Sequence, residues 1–189
     1  MSSVGVHKRI LIGGGVRSGK SAFALARARQ LGARRAFVAT ARGVDDDMRA
    51  RIARHQQERG ADFTTIEEPI ALAHVLAGLA ETEVVVVDCV TLWLANLLLR
   101  GDDESTILRH VDALVEVLRA PRFDVILVTN EVGMGVHPEQ ALGRAFRDVA
   151  GRAHQRLARG ADEIYFAVLG MMLRLRPGPV KIEPFTEET

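Results

Sequence analysis

Gly14-Gly15-Val16-Arg17-Ser18-Gly19-Lys20-Ser21 decides how the rest of this chain is read. The octapeptide matches G-x-x-x-x-G-K-[ST]; it follows a short apolar run at 9–12 and opens an amphipathic stretch at 19–31, the strand–loop–helix context the pattern requires. Glycines let successive backbone N–H groups turn inward around an anion. The start of the following helix adds partial positive charge and Lys20 adds a full one. Ser21 offers a hydroxyl to a magnesium ion bridging two phosphates. The plain alternative is a glycine turn joining strand to helix, and Lys20 and Ser21 in register weigh against it.

Outward from the loop, short apolar runs alternate with helical patterns, which predicts an α/β fold around a mostly parallel, buried sheet. Strands are expected at 9–12, 36–39, 84–87, 125–128 and 164–168, with a weaker one at 63–66. Residues 171–175 and 180–182 form an antiparallel hairpin around Pro177-Gly178-Pro179, and both this pair and 63–66 suit sheet edges. Helices fall at 19–31, 45–59, 70–79, 91–100, 104–118 and 139–159, by hydrophobic spacing and end signals. No linker divides residues 1–189, so a single domain is expected, with the last dozen residues loosely held. Val84-Val85-Val86-Val87-Asp88 is an apolar strand ending in a carboxylate at the edge where parallel sheets collect ligands, which makes Asp88 the second metal-site candidate. Its alternative role is to cap the helix before Thr91.

A chain of 189 residues, 48% hydrophobic and 26% charged, buries roughly 70% of its unfolded surface without a metal or disulfide staple. Lys plus Arg number 25 against 24 Asp plus Glu, a formal charge of +1. There is no global basic field to hold nucleic acid or an anionic membrane, so any anion is bound locally. Cys89 is the single cysteine, which excludes an internal disulfide and a zinc cluster and fits a reducing cytoplasm. The N-terminal apolar run is too short for a signal peptide. Residues 84–99 contain Asp88 and Asn96 and fall short of the ~20 apolar residues of a membrane span.

Two further segments carry polar chemistry. On the 45–59 helix, Asp47, Arg51, His55 and Arg59 share one face by i, i+4 spacing. One reading is a solvated face with Asp47 paired to Arg51. The other is a nucleophilic imidazole at His55 attacking a nucleotide phosphorus, with Arg51 or Arg59 steadying the phosphate oxygens. His7, His74, His110, His137 and His154 are read as terminal, cap or helix-surface residues. In the second segment, Val128-Thr129-Asn130-Glu131-Val132-Gly133-Met134-Gly135, a buried strand breaks into polar groups at the edge that holds the glycine loop. Thr129, Asn130 and Glu131 either contact substrate or the water around magnesium, or form an ordinary strand-to-helix loop.

With these residues assembled, the chain resembles the bifunctional adenosylcobinamide kinase / adenosylcobinamide-phosphate guanylyltransferase family, over about residues 10–176. The resemblance is carried by 13–21, Ala39-Thr40-Ala41, the His55 helix, Thr65-Ile66-Glu67-Glu68-Pro69, Asp88-Cys89-Val90-Thr91, 128–135 and Phe146-Arg147-Asp148-Val149-Ala150-Gly151-Arg152. Val16 stands where many relatives have alanine. The resemblance implies a RecA-like P-loop fold, a homotrimer and two successive reactions. Adenosylcobinamide first takes the γ-phosphoryl group of ATP or GTP. The histidine matching His55 then takes GMP from GTP and hands it to adenosylcobinamide phosphate, giving adenosylcobinamide-GDP. It also implies GTP contacts at Gly14, Gly15, Val16, Arg17, Ser18, Gly19, Lys20, Ser21, Ala39, Thr40, Ala41, Gln56, Gln57, Glu58, Arg59, Glu67 and Asp88. Catalysis would fall to Lys20 and His55, with Mg2+ at Ser21 and Asp88. Two competing readings are a plain small-molecule kinase and a RecA-like ATP-binding assembly module acting on nucleic acid or partners. Balanced charge and only 5% aromatic residues disfavour nucleic acid.

Overall fold

Val84, Val85, Val86 and Val87 are all buried, and alternation along the strand sends two of them to each face of one sheet. Val85 and Val87 join a core with Leu11, Val38, Val125 and Leu127, whereas Val84 and Val86 join another with Ile10, Ile12, Ile126 and Val128. A run buried on both faces is what a central parallel strand requires. The computed structural model describes residues 7–42 and 60–183. The expected helix at 45–59, with His55, Gln56, Gln57, Glu58 and Arg59, lies outside them.

In chain order the elements are β1 (Arg9–Gly14), α1 (Lys20–Leu31), β2 (Arg35–Ala39), β3 (Phe63–Glu67), α2 (Leu72–Gly78), β4 (Val84–Asp88), α3 (Val90–Arg100), α4 (Glu104–Val117), β5 (Asp124–Val128), α5 (Ala141–Gly160), β6 (Glu163–Val168), β7 (Met171–Arg176) and β8 (Lys181–Glu183). They build an eight-stranded sheet in the order β3-β2-β4-β5-β1-β6-β7-β8. Pairing is parallel from β3 to β6 and antiparallel across β7 and β8. The weak strand is therefore one edge and the expected hairpin the other. Lys181–Glu183 pairs with β7, so residues 181–183 are better tied than expected, and residues 184–189 lie outside the described residues. No helix among the described residues is long and apolar enough to cross a membrane.

Two layers of helix cover the sheet. Phe23, Ala24, Leu25 and Ala28 of α1 pack on one face. Leu72 and Leu76 of α2, Trp93 and Leu97 of α3, Ile107 and Leu114 of α4, and Ala153 and Leu157 of α5 cover the other. Helix α2 starts two residues later than its spacing predicts, because one Glu68 carboxylate oxygen accepts the backbone N–H groups of Ile70 and Ala71, each at 2.7 Å. That turn chemistry competes with helix formation. Glu163 anchors β6 beside β1 and α1: it accepts from Lys8 Nζ at 2.7 Å, Arg27 Nη2 at 3.1 Å and the Tyr165 hydroxyl at 2.8 Å. Burial pushes its carboxyl up, but these three partners outweigh that and hold it below the usual carboxylate range. The C-terminal ends of β1 to β6 consequently share one edge, the edge where ligands of parallel sheets bind.

Candidate active site

Gly14 ends β1 and Lys20 begins α1, so the connecting loop must reverse within five residues. Gly14 sits at φ +148°, and a Cβ there would lie 2.5 Å from the Ala167 carbonyl oxygen on β6. Only glycine fits that approach. Gly19 holds a left-handed φ of 85° as the N-cap residue of α1, which has neither a side-chain cap nor an acidic residue in its first turn. The helix therefore presents backbone donors and partial positive charge to the loop, the arrangement that binds phosphate.

Lys20 is only 6% exposed. Its Nζ spans the loop, donating to the Gly15 carbonyl at 2.5 Å and the Ser18 hydroxyl at 3.3 Å. Burial lowers its pKa, and the charge of Asp88 opposes that shift, so the ammonium and carboxylate lie within Coulombic reach. Asp88 ends β4 between Ala39 of β2 and Val128 of β5. The capping alternative is not realised, since Cys89 is the N-cap residue of α3. Ser21 lies in the first turn of α1, half-buried. Among the described residues no group of three or more His, Cys, Asp or Glu is set to hold a metal. One hydroxyl, one carboxylate and the phosphates of a nucleotide nonetheless fit magnesium, which keeps several waters and takes few protein ligands.

The neighbouring strand ends are braced from within. Thr40 is fully buried; its hydroxyl donates to the Cys89 carbonyl at 2.7 Å and accepts from the Cys89 N–H at 2.8 Å. Asn96 donates to the Thr40 carbonyl at 2.8 Å. Thr91 Oγ1 accepts from the Asn130 backbone at 3.0 Å and its side chain at 3.2 Å. Cys89 is a buried thiol, pushed up to about 11 chiefly by desolvation, and is unreactive as a nucleophile. Thr129 donates its N–H to Ile12 O, and Glu131 its N–H to Gly14 O, both at 2.9 Å. The structure thus gathers Gly14, Gly15, Val16, Arg17, Ser18, Gly19, Lys20, Ser21, Asp88, Thr129 and Glu131 at one place. Ala39, Thr40 and Ala41 adjoin Asp88, while Glu67 is exposed at the end of β3. Three and four strand spacings from β1, these two segments stand about 14 and 19 Å away.

Sequence reading missed the role of His154. It was expected on a helix surface, yet its Nε2 meets the Thr129 hydroxyl at 2.7 Å, tying α5 to the end of β5. No local signal links residues twenty-five positions apart on different elements. Burial depresses the His154 pKa, with Glu131 opposing, which favours the neutral imidazole. A depressed folded-state value means its contribution to stability is complete above the unfolded value of ~6.5 and is lost as pH falls through the folded value. His154→Gln, which keeps a donor and an acceptor, is expected to lose less melting temperature than wild type between pH 7.5 and 5.5. Equal losses in thermal melts would remove His154 as the source.

A cavity of about 330 Å³ lies at the opposite edge of the sheet, between α4 and α5. Its lining holds one carboxylate, Asp112, which is paired with Arg156, and no histidine or cysteine, so it brings no nucleophile or acid–base pair together.

Residues 10–175 match the family model for cobinamide kinase / cobinamide phosphate guanyltransferase. The chain is 43% identical over 177 residues to the bifunctional adenosylcobalamin biosynthesis protein CobP of Pseudomonas aeruginosa, covering 93% of this chain and 99% of that one. It is 37% and 39% identical to the proteins of the same description named CobU from Escherichia coli and Salmonella typhimurium, covering 88% of this chain and 99% of each. In fold it is similar to an ATPase of a bacterial type III secretion system (TM-score 0.58, 14% identity, 87% of this chain and 52% of that one). It is also similar to the RadB recombinase (TM-score 0.50, 17% identity, 90% and 81%). Both likenesses bear out the RecA-like P-loop fold and carry no further functional meaning at such identities. The matched span takes in the glycine loop, Asp88 and the Thr129 loop together, and the chain belongs to the cobinamide kinase / cobinamide phosphate guanyltransferase family.

Proposed function

We propose that this chain phosphorylates adenosylcobinamide with ATP or GTP and then transfers GMP from GTP to adenosylcobinamide phosphate through a guanylyl-His55 intermediate, in the cytoplasm and as a homotrimer. The observation that carries the reading is Lys20, buried across the loop and within reach of Asp88 in a chain of this family. In the kinase step the acceptor oxygen bonds to the γ-phosphorus as the β–γ bridge breaks. The loop N–H groups and Lys20 hold the phosphoryl oxygens in line, so catalysis is positioning and charge neutralisation. Ser21 and Asp88 would hold magnesium, whose charge would offset that of the phosphates.

In the transfer step a nitrogen of His55 bonds to the α-phosphorus and pyrophosphate leaves. An oxygen of the corrinoid phosphate then displaces the imidazole, so two inversions leave the phosphorus with its original configuration. The distance of about 14 Å between β1 and β2 supports two nucleotide positions, one at the glycine loop and one toward Ala39, Ala41 and Glu67. The exposed apolar residues Met171, Leu175, Val180 and Ile182 at the β7–β8 edge support association of copies. Intact-mass measurement after mixing with Mg2+ and GTP is expected to show one added GMP, and corrinoid added with ATP or GTP to gain one phosphate. A protein that shows neither change does not have this function.

A further inference from the structure

The strand-to-helix loop after β5 is tied at several points along the ligand edge. Gly133 donates its N–H to Glu131 Oε1 at 2.6 Å. From α5, Arg147 reaches back with Nη2 to the Gly133 carbonyl at 2.8 Å and with Nη1 to the Val136 carbonyl at 3.2 Å. Arg144 Nη1 holds the Pro138 carbonyl at 3.1 Å. The start of the loop is joined to the phosphate cradle itself, Glu131 N–H to Gly14 O at 2.9 Å. Within this clamped frame two large apolar side chains face solvent, Met134 at 81% and Val136 at 94% exposure. On the other side of the cradle, Leu169 follows the β6 strand that pairs with Gly14 and is 90% exposed.

The guanidinium groups bond the backbone on either side of Met134 and at Val136 itself, and both side chains point away from those contacts into solvent. Their exposure is unfavourable unless something apolar covers them. The acceptor of the proposed reaction supplies that cover. A corrin ring is a broad macrocycle with methyl-bearing faces and an amide rim, and its aminopropanol arm must bring a hydroxyl to the phosphate held by Gly14 to Lys20. We propose that the loop carrying Met134 and Val136 is the platform on which the corrin face of the acceptor rests, with Arg147 as the positioning residue that fixes its height. A flexible thioether suits a ligand face studded with methyl groups. This inference rests on the function proposed above.

Steady-state kinetics with adenosylcobinamide and ATP test it, together with equilibrium dialysis of the coloured corrinoid. Met134→Ser and Val136→Ser are each expected to raise the corrinoid KM about tenfold, the range that loss of one buried apolar side chain allows. The effect is confined to that constant, with the nucleotide KM unmoved. Arg147→Ala raises the same constant and Arg147→Lys restores part of it. Leu99→Ser, another exposed apolar residue, at the end of α3, serves as the control and leaves both constants at wild-type values. An active wild type beside variants with unchanged corrinoid KM overturns the platform alone, as does a rise of both KM values together. A wild type that neither binds nor phosphorylates corrinoid overturns the function and the platform with it.

Discussion

Replacing Lys20 with alanine lowers γ-phosphoryl transfer by about 10³-fold in kcat, roughly 4 kcal/mol of transition-state stabilisation. Its ammonium is among the few full positive charges that the described structure places inside the glycine loop, 6% exposed and already spanning Gly15 and Ser18. In a site from which water is excluded, such a charge interacts with phosphoryl oxygens far more strongly than on the surface. Folding does not depend on it in the same way. Burial penalises the ammonium while Asp88 and two hydrogen bonds favour it, so the alanine variant is expected to melt close to the wild-type temperature. Lys20→Arg does not rescue activity, because a planar, delocalised guanidinium cannot replace the compact point charge of the ammonium. The measurement is single-turnover phosphoryl transfer beside a thermal melt. Activity within tenfold of wild type would remove Lys20 from catalysis, and a large drop in melting temperature would mean its role is structural.

The glycine loop was legible because its chemistry is local. Gly14, Gly19, Lys20 and Ser21 occupy fixed offsets, and the strand before and helix after are short-range patterns. Asp88 was legible for a similar reason, standing at the end of four valines whose burial on both faces marks a central strand. The hairpin of β7 and β8 was announced by Pro177-Gly178-Pro179. What escaped reading depends on contacts between distant residues. Thr40 is expected at a nucleotide contact from the family resemblance, and the tie of its hydroxyl to Cys89, forty-nine positions away, is not visible in any local pattern. His154 looked like helix surface until α5 was laid across β5. Arg147 sat inside a family-like motif with no stated task, and its two bonds to the loop at 133–136 became visible only when the helix and loop were brought together. The start of α2 shifted for the same kind of reason, the Glu68 side chain taking the N–H groups that the helix would otherwise use.

His55→Ala separates the two proposed reactions. The variant is expected to form no GMP adduct with Mg2+ and GTP, while phosphorylation of adenosylcobinamide stays within about tenfold of wild type, because positioning at the glycine loop does not use the imidazole. The adduct on wild type is acid-labile, as a P–N bond to imidazole is. Its rate of formation is expected to rise with pH as the attacking nitrogen loses its proton. Two other histidines are poor substitutes. His154 is engaged with Thr129, and His110 lies 3.7 Å from Asp102 and 3.1 Å from Arg100. His137 is exposed in the loop beside the cradle and is the real competitor, so His137→Ala belongs in the same experiment. If the expected helix at 45–59 serves only as a solvated face with Asp47 paired to Arg51, an adduct seen on wild type persists in the His55 variant. Loss of the adduct in the His137 variant instead would move the covalent chemistry onto the loop that follows β5.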